Sequence, residues 1–454
     1  MISTTEKINQ LKGIFPEVFF EDQIDFDQLK RVLGRFVMPS TEGFGFNWKG
    51  KEECRRIIQE PSTYMLKPCR EESVNFDETQ NLYIEGDNLD ALKLLQESYS
   101  NKVKMIYIDP PYNTGKKFIY NDNYRDGRCH HSKWLSMMYP RLYLAKSLLR
   151  DDGVIFISVD DHEQHRLRMV CDQIFGEENF VANIIWERAY APVNLKHHFS
   201  PNHDYIITYS KSINALDNIK LPRTLDANAR YSNLDNDIRG IWKSGDLSVG
   251  PAIESNIYEI ITPSGRKVFP PKGTSWRYSK KRFQELIVDN RIWFGPNGNN
   301  IPSIKRFLSE VKAGITPLTL WRYSDVGHTQ DARKETKELF DDQAFFDYPK
   351  PVSLINRILQ LSTTENDLIL DFFSGSSTTA HAVMQLNAED GGNRKYIMVQ
   401  LPEVCDEKSE AYKAGYKTIA DIGKERIRRA ANKIKREKPD YQGDLGFKVL
   451  KLSV

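Results

Sequence analysis

Net charge, cysteine and long apolar runs are all scarce in this 454-residue chain, and each scarcity excludes something. Lys and Arg total 64 against 62 Asp and Glu, a formal charge of +2, so no global field marks a nucleic-acid binder and any such surface must be a local patch. The five cysteines, Cys54, Cys69, Cys129, Cys171 and Cys405, contain no Cys-x-x-Cys pair. That argues against a zinc knuckle or disulfide frame and for a reducing compartment. Cys129-His130-His131 is the one cluster of metal-ligating types, but adjacent residues of a strand or helix point to different sides, so a polar loop is expected there and no metal. The start, Met1-Ile2-Ser3-Thr4-Thr5-Glu6-Lys7, lacks a basic segment followed by an apolar one, and no uncharged apolar run is long enough to span a bilayer. A cytoplasmic protein without membrane contact is expected. No Gly-x-x-x-x-Gly-Lys-Ser/Thr stretch exists to power translocation.

Forty per cent apolar residues over this length is enough for two to three domains. The most informative stretch begins with Val103 to Ile108, a short apolar run that reads as a buried strand and stops at Asp109-Pro110-Pro111-Tyr112. The prolines fix φ and contribute no N–H, so the carbonyls there are rigid acceptors beside a carboxylate. Such a corner suits a planar amino group. The Asp109 carboxylate and Pro110 carbonyl accept the two amino hydrogens of a nucleobase while the Tyr112 ring stacks on its face. The plainer alternative is a strand-to-turn junction with a capping Asp.

Residues 1–80 read as a helical and mixed extension, with apolar periodicity at Ile8, Leu11, Ile14, Phe26, Leu29 and Leu33. From Asn81 a strand, a Gly86-Asp87 turn and a helix with Leu89, Leu92 and Leu95 on one face lead into the corner. This strand–helix–strand unit implies parallel pairing, with Asp87 and Asp109 at the carboxyl ends of neighbouring strands, where open α/β sheets bind ligands. Asp87 either caps its helix or contacts the ligand. The loop after the corner carries Lys116, Lys117, Tyr120, Asn121 and Tyr124, a basic and aromatic set able to engage a displaced strand, or an ordinary solvated loop. Val154 to Val159 is a further buried strand, and Val181 to Trp186 with Tyr205 to Tyr209 fits an antiparallel hairpin closing the sheet edge. Residues 81–210 thus form one half of an α/β domain.

Between 211 and 347 turn signals multiply and the doubly wound pattern stops, which reads as an inserted domain. Its Lys272, Arg277, Lys280, Lys281 and Arg282 interleave with Trp276 and Tyr278, a candidate phosphate-tracking surface with base-reading aromatics. A solvated basic face with structural aromatics is the alternative. Residues 348–405 restore the α/β pattern: Leu368 to Leu370 delivers Asp371-Phe372-Phe373-Ser374-Gly375-Ser376-Ser377, whose small residues let backbone pass close to a ligand. The stretch is neither a P-loop nor a dinucleotide Gly-x-Gly-x-x-Gly, so a nucleoside-like ligand without phosphates fits better, with Gln400 reaching toward a ribose. Residues 406–454 form a basic amphipathic tail whose charges read as solvated first and DNA-contacting second.

An Asp-Pro-Pro-Tyr corner early and a Phe-x-Gly-Ser loop late, separated by an insertion, resembles the amino-methylating DNA methyltransferases of the β arrangement, and closer still the modification subunit of type III restriction–modification systems. The resemblance runs through Asn81 to Leu95, Asp109 to Gly115, Asp151 to Glu163, Lys350 to Leu359, Asp371 to Val383 and Ile422 to Phe447. It implies an α/β, permuted Rossmann-like methyltransferase sheet with an inserted target-recognition domain, S-adenosylmethionine as donor and the N6 amino group of adenine as acceptor. Asp109, Pro110, Pro111 and Tyr112 would then hold a base flipped from double-stranded DNA. Asp87, Lys350, Asp371, Phe373, Gly375, Ser376, Ser377 and Gln400 would line the cofactor. Gln400 stands where many relatives have an acid, and Ser377 where they often have Gly. The family also implies a homodimer and a separate ATP-dependent restriction chain, and its members continue beyond the counterpart of Phe447 into a further domain. The competing readings are N4-cytosine methylation, which relatives with Ser at the Asp109 position more often perform, and a DNA-recognition subunit without methyl transfer.

Overall fold

The computed structural model describes residues 4–20, 23–34, 45–116, 119–120, 122–124, 130–193, 197–217, 219–223, 228–311 and 314–454. Lys117, Asn121 and Cys129 lie outside the described residues. The chain divides into two units, Met1–Glu53 and Cys54–Val454. The first holds the helices Thr4–Ile14 and Phe26–Leu33, the second of them capped by the Asp25 carboxylate, which accepts from the Asp27 and Gln28 N–H groups.

The second unit is built on a ten-stranded sheet in the order Leu320–Trp321, Phe180–Glu187, His203–Ser210, Leu149–Val159, Val103–Ile108, Leu368–Asp371, Lys395–Gln400, Leu82–Glu85, Phe447–Ser453, Met65–Val74. The six strands from Leu149–Val159 to Phe447–Ser453 run parallel. All six residues of Val103–Ile108 are buried, as a central parallel strand covered on both faces requires. Helices such as Ser132–Leu148, Val352–Ser362 and Thr378–Asp390 supply that cover with buried Leu, Ile, Val and Ala.

Three expectations about neighbours change. Leu82–Glu85 and Val103–Ile108 share the sheet and its direction but are not adjacent, because Leu368–Asp371 and Lys395–Gln400, from late in the chain, pair between them. The Phe180–Glu187 and His203–Ser210 strands do pair antiparallel, yet they do not close the edge: Leu320–Trp321 adds outside them, parallel to Ile185–Trp186. The main sheet therefore takes up the chain again at Leu320, before Tyr348, and Met65–Val74 belongs to the same sheet as its far edge strand.

Between these returns lie small antiparallel pairings, among them Trp242–Asp246 with Ser303–Phe307 and Ser248–Val249 with Ser275–Trp276. Trp276 is 1% exposed, packs with Leu247, Val268, Phe283 and Leu286, and donates its indole N–H to the Tyr258 carbonyl at 2.8 Å. It is a core residue, not a base reader, because its ring is the largest apolar body available to a region with little regular structure. Lys272, Arg277, Lys280, Lys281 and Arg282 remain exposed around it.

The tail expectation also changes. In the helix Ile419–Glu437, Lys424 is buried against Glu72 and Glu85, and Arg426 is wholly buried, so neither is solvated nor open to DNA. Trp276→Ala is expected to destabilise the inserted region by about 3–5 kcal/mol through the cavity it leaves. Limited proteolysis within residues 228–311 should accelerate; unchanged resistance would return Trp276 to the surface.

Candidate active site

The sheet has a topological switch where Val103–Ile108 meets Leu368–Asp371, in the register Ile369 opposite Met105 and Leu370 opposite Ile106. From one strand the chain proceeds outward to Leu149–Val159, from the other to Lys395–Gln400, so the connections part and a crevice opens above the carboxyl ends. Asp109 and Asp371 stand at that crevice, side by side.

One solvent-open cleft is lined by Asp87, Asp109, Asp371, Phe373, Ser376 and Gln400 among others. Asp371 accepts from the Thr379 hydroxyl at 2.6 Å and the Phe373 N–H at 3.1 Å. Burial pushes its carboxyl up to about 7, against those two bonds, which favour the charged form. Gly375 sits at φ +50, its N–H donates to the Gln400 side-chain carbonyl at 2.7 Å, and a Cβ there would come 3.2 Å from the Phe346 ring. Gln400 thus holds the loop while facing the cleft.

Ser377 differs from expectation. It is fully buried at φ +63, where L side chains are disfavoured, and a Cβ added to Gly423 would lie 2.7 Å from both the Ser377 and Tyr83 hydroxyls. Its side chain backs onto the tail helix and does not line the cleft. The left-handed backbone is one that Gly adopts without strain, which accounts for the expectation of Gly at this turn. Asp87 caps the helix Asn88–Tyr99 through the Leu89 N–H at 2.7 Å, and it also lines the cleft, with both carboxylate oxygens 3.1 Å from the Arg141 guanidinium.

A second cavity shares the Asp109 and Lys350 wall and adds Pro110, Tyr112, Trp186, Arg188 and Asp204. One Asp109 oxygen pairs with Lys350; the other, Oδ1, is buried without a hydrogen-bond partner. Pro111 is fixed through its carbonyl, which accepts from the Trp134 indole at 2.7 Å. Asn113, at φ +61, donates its amide to Glu163 at 2.7 Å, and Glu163 also bonds the His131 ring at 2.7 Å. The His130-His131 segment therefore braces the turn after the corner. Lys116 is exposed on this loop.

Four residues of the site carried no motif. Arg141 and Arg426 sit inside helices whose periodicity accounts for their neighbours; Arg426 donates to the Ser376 and Thr378 hydroxyls, both at 2.9 Å, and burial pushes its guanidinium down to about 10. Asp204 and Arg188 come from the antiparallel pair, 2.8 Å apart, and burial raises the Asp204 carboxyl to about 6.

Residues 103–418 match the family model N6_N4_Mtase, described as DNA methylase. The chain is 34% identical to the type III restriction-modification enzyme StyLTI Mod subunit of Salmonella typhimurium over 97% of this chain and 73% of that protein. It is 32% identical to the type III restriction-modification enzyme EcoP15I Mod subunit of Escherichia coli over 99% of this chain and 78% of that one. To the type II methyltransferase M.KpnI of Klebsiella pneumoniae it is 34% identical over 81% of this chain and 93% of the other. A parallel sheet with its switch point between an Asp-Pro-Pro-Tyr corner and a Phe-x-Gly-Ser loop defines an S-adenosylmethionine-dependent DNA methyltransferase. The chain belongs to the N6/N4 DNA methylase family, among the modification subunits of type III restriction–modification systems. Its reaction is methylation of DNA.

Asp371 yields a pH prediction. A carboxyl raised toward 7 in the folded state keeps a proton that the unfolded chain has lost, so its contribution to stability falls as pH rises from about 4 to 7 and is level above. Denaturant unfolding of the wild type should lose about 1 kcal/mol per pH unit relative to Asp371→Asn between pH 5 and 7. A difference that grows with pH would contradict the buried, proton-retaining carboxyl.

Proposed function

We propose that methyl transfer takes place where the two cavities meet at Asp109, on an adenine swung out of double-stranded DNA into the Tyr112 cavity. The observation that carries this is the Asp109 carboxylate itself: it stands in the wall common to both cavities and keeps one buried oxygen without a partner. A duplex base cannot enter while stacked, and the Tyr112 ring replaces the stacking it loses.

The first cleft fits S-adenosylmethionine. Its lining sets Asp87, Asp109, Asp371 and Glu403 against only Arg141 and Lys350, which suits a ligand carrying both charges, and it lacks the Gly-rich cradle a triphosphate needs. Asp87, Phe373, Gly375, Ser376 and Gln400 would hold it, with Asp371 fixing the loop through Phe373 and Thr379. When bound it supplies a methyl group on a positively charged sulfur, which leaves with the bonding electron pair.

The protein's part is to prepare the amino nitrogen. The adenine amino lone pair is delocalised into the ring and is a weak nucleophile. Acceptance of its hydrogens by Asp109 and the Pro110 carbonyl favours a pyramidal nitrogen and aims its lone pair at the donor cleft. As the N–C bond forms the nitrogen must shed one proton, and the Asp109 carboxylate is the acceptor within reach.

Lys272, Arg277, Lys280, Lys281 and Arg282, exposed on the inserted region, with Lys116 beside the corner, supply the phosphate contacts. The relatives carry the name Mod subunit, which supports a separate ATP-dependent restriction chain as partner, and a homodimer and work in the cytoplasm follow the same family pattern. Among the described residues no helix is long and apolar enough to cross a membrane. N4-cytosine methylation and DNA recognition without transfer stay behind adenine methylation, since Asp109 and both cavities are intact.

Asp109→Ala is expected to lower methylation by about 10²–10³-fold or more while donor affinity stays nearly unchanged. Modified-base sequencing of DNA from cells expressing either form, with donor titration of the purified proteins, reads both quantities. Undiminished methylation in the variant sinks the assignment. Replacing Lys280, Lys281 and Arg282 together by Ala should weaken DNA binding at every sequence and flatten its salt dependence by about one unit of slope for each phosphate no longer neutralised. An unchanged slope in a salt titration would remove this surface from the interface.

A further inference from the structure

We propose that Lys350 is a specificity-determining residue that donates to the ring nitrogen next to the target amino group, so that Asp109 and Lys350 together read the amino–imine edge of the flipped base. The inference rests on the reading of the Asp109 corner as the base pocket and deepens it.

Four observations converge on Lys350. Its ammonium pairs with Asp109 Oδ2, and Asp109 Oδ1 beside it is left without a partner. The side chain is only 10% exposed, so the pair is held inside the wall and not on the surface. The ammonium lies 5.3 Å from the centroid of the Tyr112 ring, over the ring against which a base would stack. Finally, Lys350 stands between Pro349 and Pro351, and a residue flanked by prolines is restricted to extended backbone, so the ammonium is delivered from a stiff support.

The chemistry of this pair is directional. A carboxylate only accepts and an ammonium only donates, with three N–H groups of which Asp109 takes one. Paired, they offer an acceptor beside a donor, the complement of two adjacent groups on a base edge. Adenine presents the complement: N6–H donors beside the N1 acceptor. Cytosine presents the same pattern through N4 and N3, so cavity size and not this pair separates the two. Guanine and thymine present a carbonyl oxygen beside an N–H, which sets acceptor against carboxylate and donor against ammonium and is rejected. The pair thus explains how a pocket open to any flipped base would admit only those with a methylatable amino group. A merely structural ion pair in this wall would contribute little net stability and would be blind to N1.

The test uses the full chain with S-adenosylmethionine and a duplex bearing the site mapped by modified-base sequencing, its target adenine replaced in turn by 1-deazaadenine and 7-deazaadenine. Wild-type kcat/KM is expected to fall about tenfold or more with 1-deazaadenine, the loss of a hydrogen bond from a charged donor, and to change little with 7-deazaadenine. In Lys350→Met the penalty for 1-deazaadenine should shrink to less than about threefold, whereas Lys350→Gln, which keeps an N–H donor, should restore part of it. Wild-type enzyme that methylates the 1-deazaadenine duplex as well as the adenine duplex overturns the proposal without recourse to any variant. So does an equal 1-deazaadenine penalty in wild type and Lys350→Met, or a Lys350-dependent penalty for 7-deazaadenine. Absence of methylated adenine in every duplex would instead overturn the Asp109 reading, and this inference with it.

Discussion

The parallel pairing of Val103–Ile108 with Leu368–Asp371 is the contact on which the site depends. It joins strands from opposite ends of the catalytic unit, and only through it do Asp109 and Asp371 share one crevice. Closing so long a loop costs entropy that grows only slowly with length, so the inserted region between them is tolerated as long as the paired residues bury enough apolar surface. Met105, Ile106 and Ile108 are fully buried, as are Ile369 and Leu370, while Lys104 is paired with Asp152 at 2.8 Å. The register matters as much as the pairing. Successive residues of a strand face opposite sides, so a slip by one would turn the ends of both strands away from the cavities they now serve.

The tail helix Ile419–Glu437 backs the first cleft. Gly423 admits the Ser377 and Tyr83 hydroxyls into space that a methyl group would occupy, and three residues on Arg426 reaches the Ser376 and Thr378 hydroxyls. Lys424 meanwhile ties the helix to Glu85 at 2.7 Å and to Glu72. Buried charges of this kind are poor sources of net stability, since desolvation offsets much of the attraction. Their effect here is positional: they set which turn of the helix faces the loop, and so the shape of the cleft wall.

Much of this was legible from residue order alone. Val103–Ile108 announces itself as a covered strand, and the acid–proline–proline–aromatic stop marks its functional end. The late loop was readable as a turn of small residues at a strand end, but not the place of Ser377, which was expected at the cleft and instead is buried behind it with a left-handed backbone. What was not legible concerns partners far along the chain. Nothing local says that Leu368–Asp371 and Lys395–Gln400 insert between two strands adjacent in sequence. Trp276 misled because a basic run with interleaved aromatics reads alike whether the rings face DNA or a small core; the choice depends on Leu247, Val268 and Phe283, which sit elsewhere in the chain. Arg141, Arg188, Asp204 and Arg426 left no mark because single charges in amphipathic elements are ordinarily solvated, and burial is a property of the assembled fold.

The charges around the two cavities form a coupled set. Asp87 faces Arg141, Asp109 faces Lys350 and Asp204 faces Arg188, while Asp371 is held by a hydroxyl and a backbone N–H. The acid without a cation is the one driven furthest up, with burial the leading cause. Asp109 and Lys350 act in opposite senses on both neighbours: beneath the burial effect, the Asp109 charge raises Asp371 and Asp204 and the Lys350 charge lowers them. As long as the two remain paired these influences largely cancel, and each cavity senses a neutral wall. The two cavities are therefore linked electrostatically through one ion pair in the wall they share.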